Sequence, residues 1–214
     1  MGARVSVDEI EVADPAEVWA DAGFTVSGQV SRVGDVSFRL VGRNRGTGIL
    51  GWSLRGVSSE GALDGIPTTA SDAPVPHADT HVNGVTAIDH VVLLSPDLAR
   101  TVAALAAIGV RPRREREGEL GGRAIRQIFF RFGTVIIEVV GSQAVTGDGP
   151  SSLWGITYSV ADIDASAAYF GDRAAPVKDA VQPGRRITTL DHRALGMSVR
   201  TALISAPVVS APIV

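Results

Sequence analysis

The chain has 214 residues, of which 45% are hydrophobic and none is cysteine. It can therefore bury a sizeable core but cannot hold a disulfide, a thiolate metal site or a cysteine nucleophile. A net charge of −3 and a pI near 5.8 exclude the broad basic footprint of a nucleic-acid binder, and no window approaches the ~18 uninterrupted apolar residues of a membrane span.

The chain opens on a strand, RVSVDEIEV. Asp8, Glu9, Glu11, Asp14 and Glu17 stand where a secretory signal would have a basic start and an apolar run. With no cysteine either, a cytoplasmic location is expected. Asp14-Pro15 then starts a helix, a capping residue followed by proline at the first helical position. Val26–Val33, Val36–Val41 and Ile49–Val57 read as three further strands, so residues 1–57 form a diverged βαβββ unit. The glycine-rich stretch from Gly42 to Gly51 carries Arg43, Asn44 and Arg45, but no helix follows it, so it reads as a hairpin turn and not as a phosphate loop. Residues 58–84, rich in Pro, Ala, Ser, Thr and Asp and without periodicity, read as a linker or covering loop.

The clearest segment is 85–141. VTAIDHVVLLS is a β-branched apolar strand, and Pro96-Asp97 signals a helix start. Leu98, Val102, Leu105 and Ile108 recur at helical spacing up to Gly109. A strand near Val110–Glu115, a turn over Gly118–Gly122, a strand over Ala124–Phe132 and a last strand over Val135–Val140 complete a βαβββ unit. Arg111, Arg113, Arg114 and Arg116 alternate with Glu115, Glu117 and Glu119, which reads as a solvated turn of mixed charge. Residues 153–205 repeat the order, with LWGITYSV, a short helix opened by Asp162, a weak strand at Val177–Ala180, RRITTL and MSVRTALIS. The tail, 206–214, contains Pro207 and Pro212 and reads as irregular.

The fold class is thus α+β, made of repeated βαβββ units paired into a curved mixed sheet. Helices cover one face of a unit. Pairing the middle and C-terminal units sets their open faces opposite each other and leaves a cleft. The N-terminal unit then packs at the side or against another chain. A large open apolar face rarely stays exposed, so a homodimer is expected.

Side chains alternate along a strand. If His90 faces the cleft, so do Ile88, Val92 and Leu94, and in the C-terminal unit Gly155, Thr157 and Ser159. Trp154, Ile156 and Tyr158 then lie under the helix. Gln127 and Phe129 share the cleft face of their strand. One of Arg185 and Arg186 must point inward, and Arg186 is expected to, where it would hold an anion by a bidentate contact. Glu138, a carboxylate on an apolar strand, is a candidate general base.

The segments DHVVLLSPDL, FFRFGTVIIEVVG and WGITYSVADIDA resemble the vicinal oxygen chelate superfamily of glyoxalase I, extradiol dioxygenases, methylmalonyl-CoA epimerase and the bleomycin-resistance proteins. The resemblance covers Val85 to Ser205 and, faintly, the first 57 residues. It implies a divalent metal in the cleft, with His90 and Glu138 matching the first- and last-strand ligand positions. The C-terminal unit departs from the pattern, with Gly155 where His90 stands and Thr201 where Glu138 stands, while His77, His81 and His192 remain as further candidate ligands. The resemblance leaves open a lyase or isomerase with Glu138 as base, a non-catalytic binding or sequestering protein, and a module that has lost its site. In the first two the partner is a small oxygenated or anionic organic molecule bound near Gln127, Phe129, Thr157 and Arg186.

Overall fold

The computed structural model describes residues 4–58, 61–120 and 122–207. Its first half holds β1 (Ser6–Val12), the short helix α1 (Ala16–Asp21), β2 (Val30–Val33), β3 (Val36–Leu40), β4 (Ile49–Arg55), β5 (Gly61–Leu63) and β6 (Ile66–Ser71). These strands form one sheet in the order β2-β3-β1-β4-β6-β5. The second half holds β7 (Val85–Leu94), α2 (Leu98–Ala107), β8 (Arg114–Leu120), β9 (Arg123–Phe132), β10 (Val135–Gly141) and β11 (Ser152–Val160), then α3 (Ile163–Phe170), β12 (Lys178–Asp179), β13 (Arg186–Thr189) and β14 (Arg200–Ser205). Its strands form an eight-stranded sheet in the order β12-β13-β14-β11-β7-β10-β9-β8.

In the larger sheet each unit closes by pairing its last strand in parallel with its first, β10 with β7 and β14 with β11. The two units then join through their first strands, β7 and β11, which run antiparallel. They meet edge to edge in one continuous curved sheet, not face to face. Local signals set the helices as read: Asp97 accepts from the Arg100 N–H at the start of α2, and Asp162 accepts from the Asp164 and Ala165 N–H groups at the start of α3, satisfying donors a helix leaves unpaired.

The N-terminal half departs from the sequence reading in three ways. First, β4 pairs with β1 antiparallel, while β3 takes the parallel position beside β1. β4 therefore opens a second, helix-less unit. Second, that unit is completed by β5 and β6 from the segment read as a loop, with β6 parallel to β4. The segment hides its strands because its residues are small, polar or proline, and its register is held by contacts of its turn residue Asp64 with the second half of the chain. This carboxylate sits in a turn with φ 51° and accepts from Arg100 Nε at 2.5 Å, Ser151 Oγ at 2.6 Å and Thr101 Oγ1. Third, Asp14 does not cap α1. It is fully buried, accepts from Trp19 Nε1 at 3.2 Å and from the Ser198 N–H at 3.0 Å, and ties the first half to the loop before β14.

The two sheets pack through one shared core. Tyr158 of β11 meets Phe24 and Phe38, with centroids 5.4 and 6.0 Å away, and Trp52 stacks on Phe132 at 5.6 Å. The N-terminal sheet is thus paired within itself and packs one face on the larger sheet. Residues 206–207 continue without regular structure, and the rest of the expected tail lies outside the described residues. No helix among the described residues is long and apolar enough to cross a membrane.

Asp64→Ala removes the carboxylate shared by the buried Thr101 and Ser151 hydroxyls and by Arg100 Nε, and the expected cost is about 2–3 kcal/mol. Asp64→Asn keeps an acceptor and a residue type tolerant of positive φ, and is expected to cost about half as much. Urea unfolding of the three proteins measures both.

Candidate ligand site on the open face of the larger sheet

The face of the larger sheet turned away from the shared core forms the inside of a half-barrel. Which side chains reach it is decided by irregularities in the β7–β11 pairing. Thr157 pairs with His90, but the next pair is Tyr158 with Ile88. One extra residue, Asp89, is inserted into β7 at that point. Such a bulge redirects side chains, and here it brings Asp89 and His90 to the same face and sends Ile88 into the core, where it is 5% exposed. The expectation that Ile88 shares the face of His90 is therefore corrected.

Strict alternation would put Asp89 behind the sheet, so the sequence does not mark it as a site residue. In the structure its carboxylate is the hub of a polar chain. His90 Nδ1 lies 2.8 Å from Asp89 Oδ2, and Arg185 Nη1 donates to Asp89 Oδ1 at 2.5 Å. Arg185 also donates from Nε to the Ser205 carbonyl at 2.8 Å. On the other side, His90 Nε2 is 3.4 Å from Glu138 Oε2. Gln127 Nε2 donates to Glu138 Oε1, and Arg116 Nε donates to Gln127 Oε1 at 2.6 Å. The Arg116 guanidinium carbon stands 5.5 Å from the centre of the Phe129 ring.

His90, Glu138, Gln127 and Phe129 thus come together as the alternation of β7, β9 and β10 requires. Thr157 is beside them across the seam and is 5% exposed. Arg186 is not with them. It is exposed and pairs with Asp164 of α3 at 2.6 Å, on the helix side. The inward residue is Arg185, because Ile187 and Thr189 pair with Ile204 and Ala202 and fix the odd-numbered side chains to the open face.

Beside this chain lies a hollow of about 320 Å³, lined by His90, Phe129 and Ile136 and by Arg113, Arg114, Arg116 and Arg131. Asp89 is the one carboxylate among its lining residues, and it is taken up by Arg185. The arginines were read in the sequence as a neutralised turn. As part of strand β8 they are sorted by face. Arg114 pairs with Phe129 and Arg116 with Gln127, whereas Glu115 and Glu117 pair with Ile128 and Arg126 on the opposite side. A period of two turns mixed charge along the chain into a basic surface on one face.

Donors for a metal fall short. His90 and Glu138 face each other, but His90 Nδ1 is held by Asp89 and the facing wall is Gly155, Thr157 and Ala202. Thr201, expected opposite Glu138, turns into the core at 2% exposure. A Cβ at Gly155 would come 3.0 Å from the Arg200 carbonyl oxygen, so a histidine there requires the strands to move. His81 accepts the Thr25 N–H at 2.9 Å, His77 sits in an exposed loop, and His192 lies across the seam beside Arg200. Among the described residues no three His, Cys, Asp or Glu side chains are placed to hold a metal ion, whereas catalytic sites of this kind normally supply three protein ligands. The residues do not fit a tightly held ion, and no chemical step is derived through one.

Comparison with known proteins supports the fold. No family model and no curated protein sequence matches the chain. Among solved structures, a triple mutant of 4-hydroxymandelate synthase from Streptomyces coelicolor is similar at a TM-score of 0.67 and 15% identity, covering 98% of this chain and 94% of that one. BphC, a halotolerant catechol dioxygenase, is similar at 0.60 and 10% identity over 100% of this chain and 90% of that one. A catechol 2,3-dioxygenase gives 0.60 and 9% over 98% and 97%. The chain shares the fold of these proteins, the fold expected from the resemblance to the vicinal oxygen chelate superfamily, over its described residues.

Two outcomes follow from the site. Protein dialysed against nickel, zinc, manganese or ferrous salts is expected to retain well under one equivalent of metal by elemental analysis, and one full equivalent lost on His90→Ala would contradict the donor count. Burial pushes the Asp89 carboxyl up, but hydrogen bonds from His90 and Arg185, with their charges, outweigh it and leave it below the usual value. Its contribution to stability is therefore complete above the unfolded value of about 3.9 and disappears as pH falls through the lower folded value. Asp89→Asn is expected to cost about 2 kcal/mol at pH 7 and much less near pH 2 in urea unfolding.

Proposed function

We propose that the chain binds a small oxygenated organic anion in the hollow lined by His90 and Phe129. The observation that carries this reading is the convergence of Arg113, Arg114, Arg116 and Arg131 on one hollow with Phe129 as its apolar wall. Guanidinium groups recognise carboxylates through paired N–H donors, and none of the four is paired with a carboxylate among the described residues. The size of the hollow suits a molecule of one ring or a short branched acid.

In a catalytic form of this reading Glu138, which stands next to His90 and outside the lining of the hollow, would move the proton. Gln127 fixes one of its oxygens and the other points toward His90. A glyoxalase-like isomerase step would have Glu138 take a proton from the carbon beside a carbonyl. The charge would pass to the carbonyl oxygen, with His90 and the arginines near enough to stabilise it, and the proton would return from Glu138 to that or a neighbouring carbon. A non-catalytic binder of the same anion is the second reading. It is favoured by the facing wall of Gly155, Thr157 and Ala202, which offers one hydroxyl and no charged group. The lack of cysteine supports a cytoplasmic setting for either.

A panel of short 2-oxo acids, 2-hydroxy acids and aromatic carboxylates, followed by calorimetry, tests the binding. Arg114→Ala and Arg116→Ala are each expected to weaken the best acid by about ten- to a hundredfold, with its neutral amide binding no better than background. Equal affinity in the variants would sink the reading. Incorporation of deuterium from heavy water into the bound acid then separates the two forms. Glu138→Gln should abolish exchange and preserve binding if the protein is an enzyme, and the wild type should show none if it is a binder.

A further inference from the structure

The C-terminal half of the open face carries a second feature that the arginine-lined hollow does not use. Leu153 pairs with Leu93, yet the next pair is Gly155 with Val92. Trp154 is the extra residue, this time in β11. Strict alternation would bury it under α3, as the sequence suggested. The bulge instead turns it to the open face, where it is 37% exposed, against 0% for Trp19 and 3% for Trp52. A tryptophan is costly to leave in water, and a bulge that re-aims one side chain is a common device at binding sites.

Its surroundings are those of a pocket. A hollow of about 180 Å³ is lined by Trp154, Val92, Thr157, Thr189, His192 and Arg200. Gly155 forms part of its floor, and the absence of a side chain there leaves the floor open. The Arg200 guanidinium carbon lies 4.7 Å from the Trp154 ring centre, a cation–π contact that holds the arginine over the indole. The N–H groups of Arg200 meet no carboxylate among the described residues, since the nearby Asp191 accepts instead from the Ala194 N–H at 3.1 Å. Burial, with the Arg200 and Arg193 charges behind it, pushes His192 below its usual value. Arg200 is the one fixed charge among the residues that line the pocket.

We propose that this pocket is a second binding subsite, and that its ligand is a planar aromatic acid. Its ring packs against the Trp154–Arg200 pair and its carboxylate takes the Arg200 N–H donors. An apolar wall with one cation and two hydroxyls selects for this combination. A saturated acid loses the stacking, and a neutral ring loses the ion pair. The subsite stands across the β7–β11 seam from the arginine-lined hollow and does not depend on the reading given to that hollow.

Intrinsic fluorescence tests it on the full chain, because Trp154 is the exposed tryptophan and the other two are buried. Titration with 2-naphthoate is expected to saturate at submillimolar concentration, seen as quenching together with energy transfer from tryptophan. Decalin carboxylate and 2-naphthyl methanol are expected to bind at least about tenfold more weakly. Calorimetry, which does not need the tryptophan, should show Trp154→Ala and Arg200→Ala each weakening 2-naphthoate by tenfold or more. Trp154→Phe, which keeps a ring, should recover part of the loss and guards against a folding defect. Arg114→Ala should leave the quenching of Trp154 by 2-naphthoate unchanged. Loss of binding in Arg114→Ala with full binding in Trp154→Ala would place the acid in the other hollow and overturn the subsite. Equal affinity for the naphthoate and the decalin acid, or no saturation up to about 10 mM, would overturn it as well.

Discussion

The antiparallel pairing of β7 with β11 is the constraint on which the open face depends. It joins two βαβββ units into one sheet, and it is not regular. Extra residues at Asp89 in β7 and Trp154 in β11, and a further shift between Ser159 and Val160, interrupt an otherwise continuous ladder. A strand without bulges would present one residue in two to each face. Here adjacent residues, Asp89 and His90, reach the same face, and a tryptophan that belongs to the core by count stands outside it. The polar chain from Arg185 through Asp89, His90, Glu138 and Gln127 to Arg116 crosses this seam and has no geometry without the first bulge.

Electrostatics follows from the same pleat. The chain is acidic overall, yet one hollow collects four arginines. The excess of positive charge is created by folding, since β8 separates Arg114 and Arg116 from Glu115 and Glu117 by facing them in opposite directions. Net charge and charge runs describe solubility and long-range partners, but a strand of alternating sign is neutral only when counted along the chain.

Much of the fold was legible in the sequence because local and long-range signals agree there. Val85–Leu94, the α2 periodicity closed by Gly109, and the run Val135–Gly141 each have the length, pattern and punctuation of their element. For the same reason His90, Glu138, Gln127 and Phe129 could be placed on one face. What was not legible depends on pairing partners. The strands β5 and β6 lack an apolar pattern and exist because β4 offers an edge and Asp64 anchors their turn. Whether Arg185 or Arg186 points inward turns on the register of β13 against β14. The inward place of Asp89 and the outward place of Trp154 turn on single inserted residues that no local propensity marks.

The register of the β7–β11 seam can be measured in solution. In isotope-labelled protein, cross-strand nuclear Overhauser contacts between β7 and β11 report which residues face each other. The bulged seam gives backbone contacts of Ile88 with Tyr158 and of His90 with Thr157, with Asp89 between them and unpaired. Contacts of Asp89 with Tyr158 and of Ile88 with Ser159, the signature of an uninterrupted ladder, would contradict it.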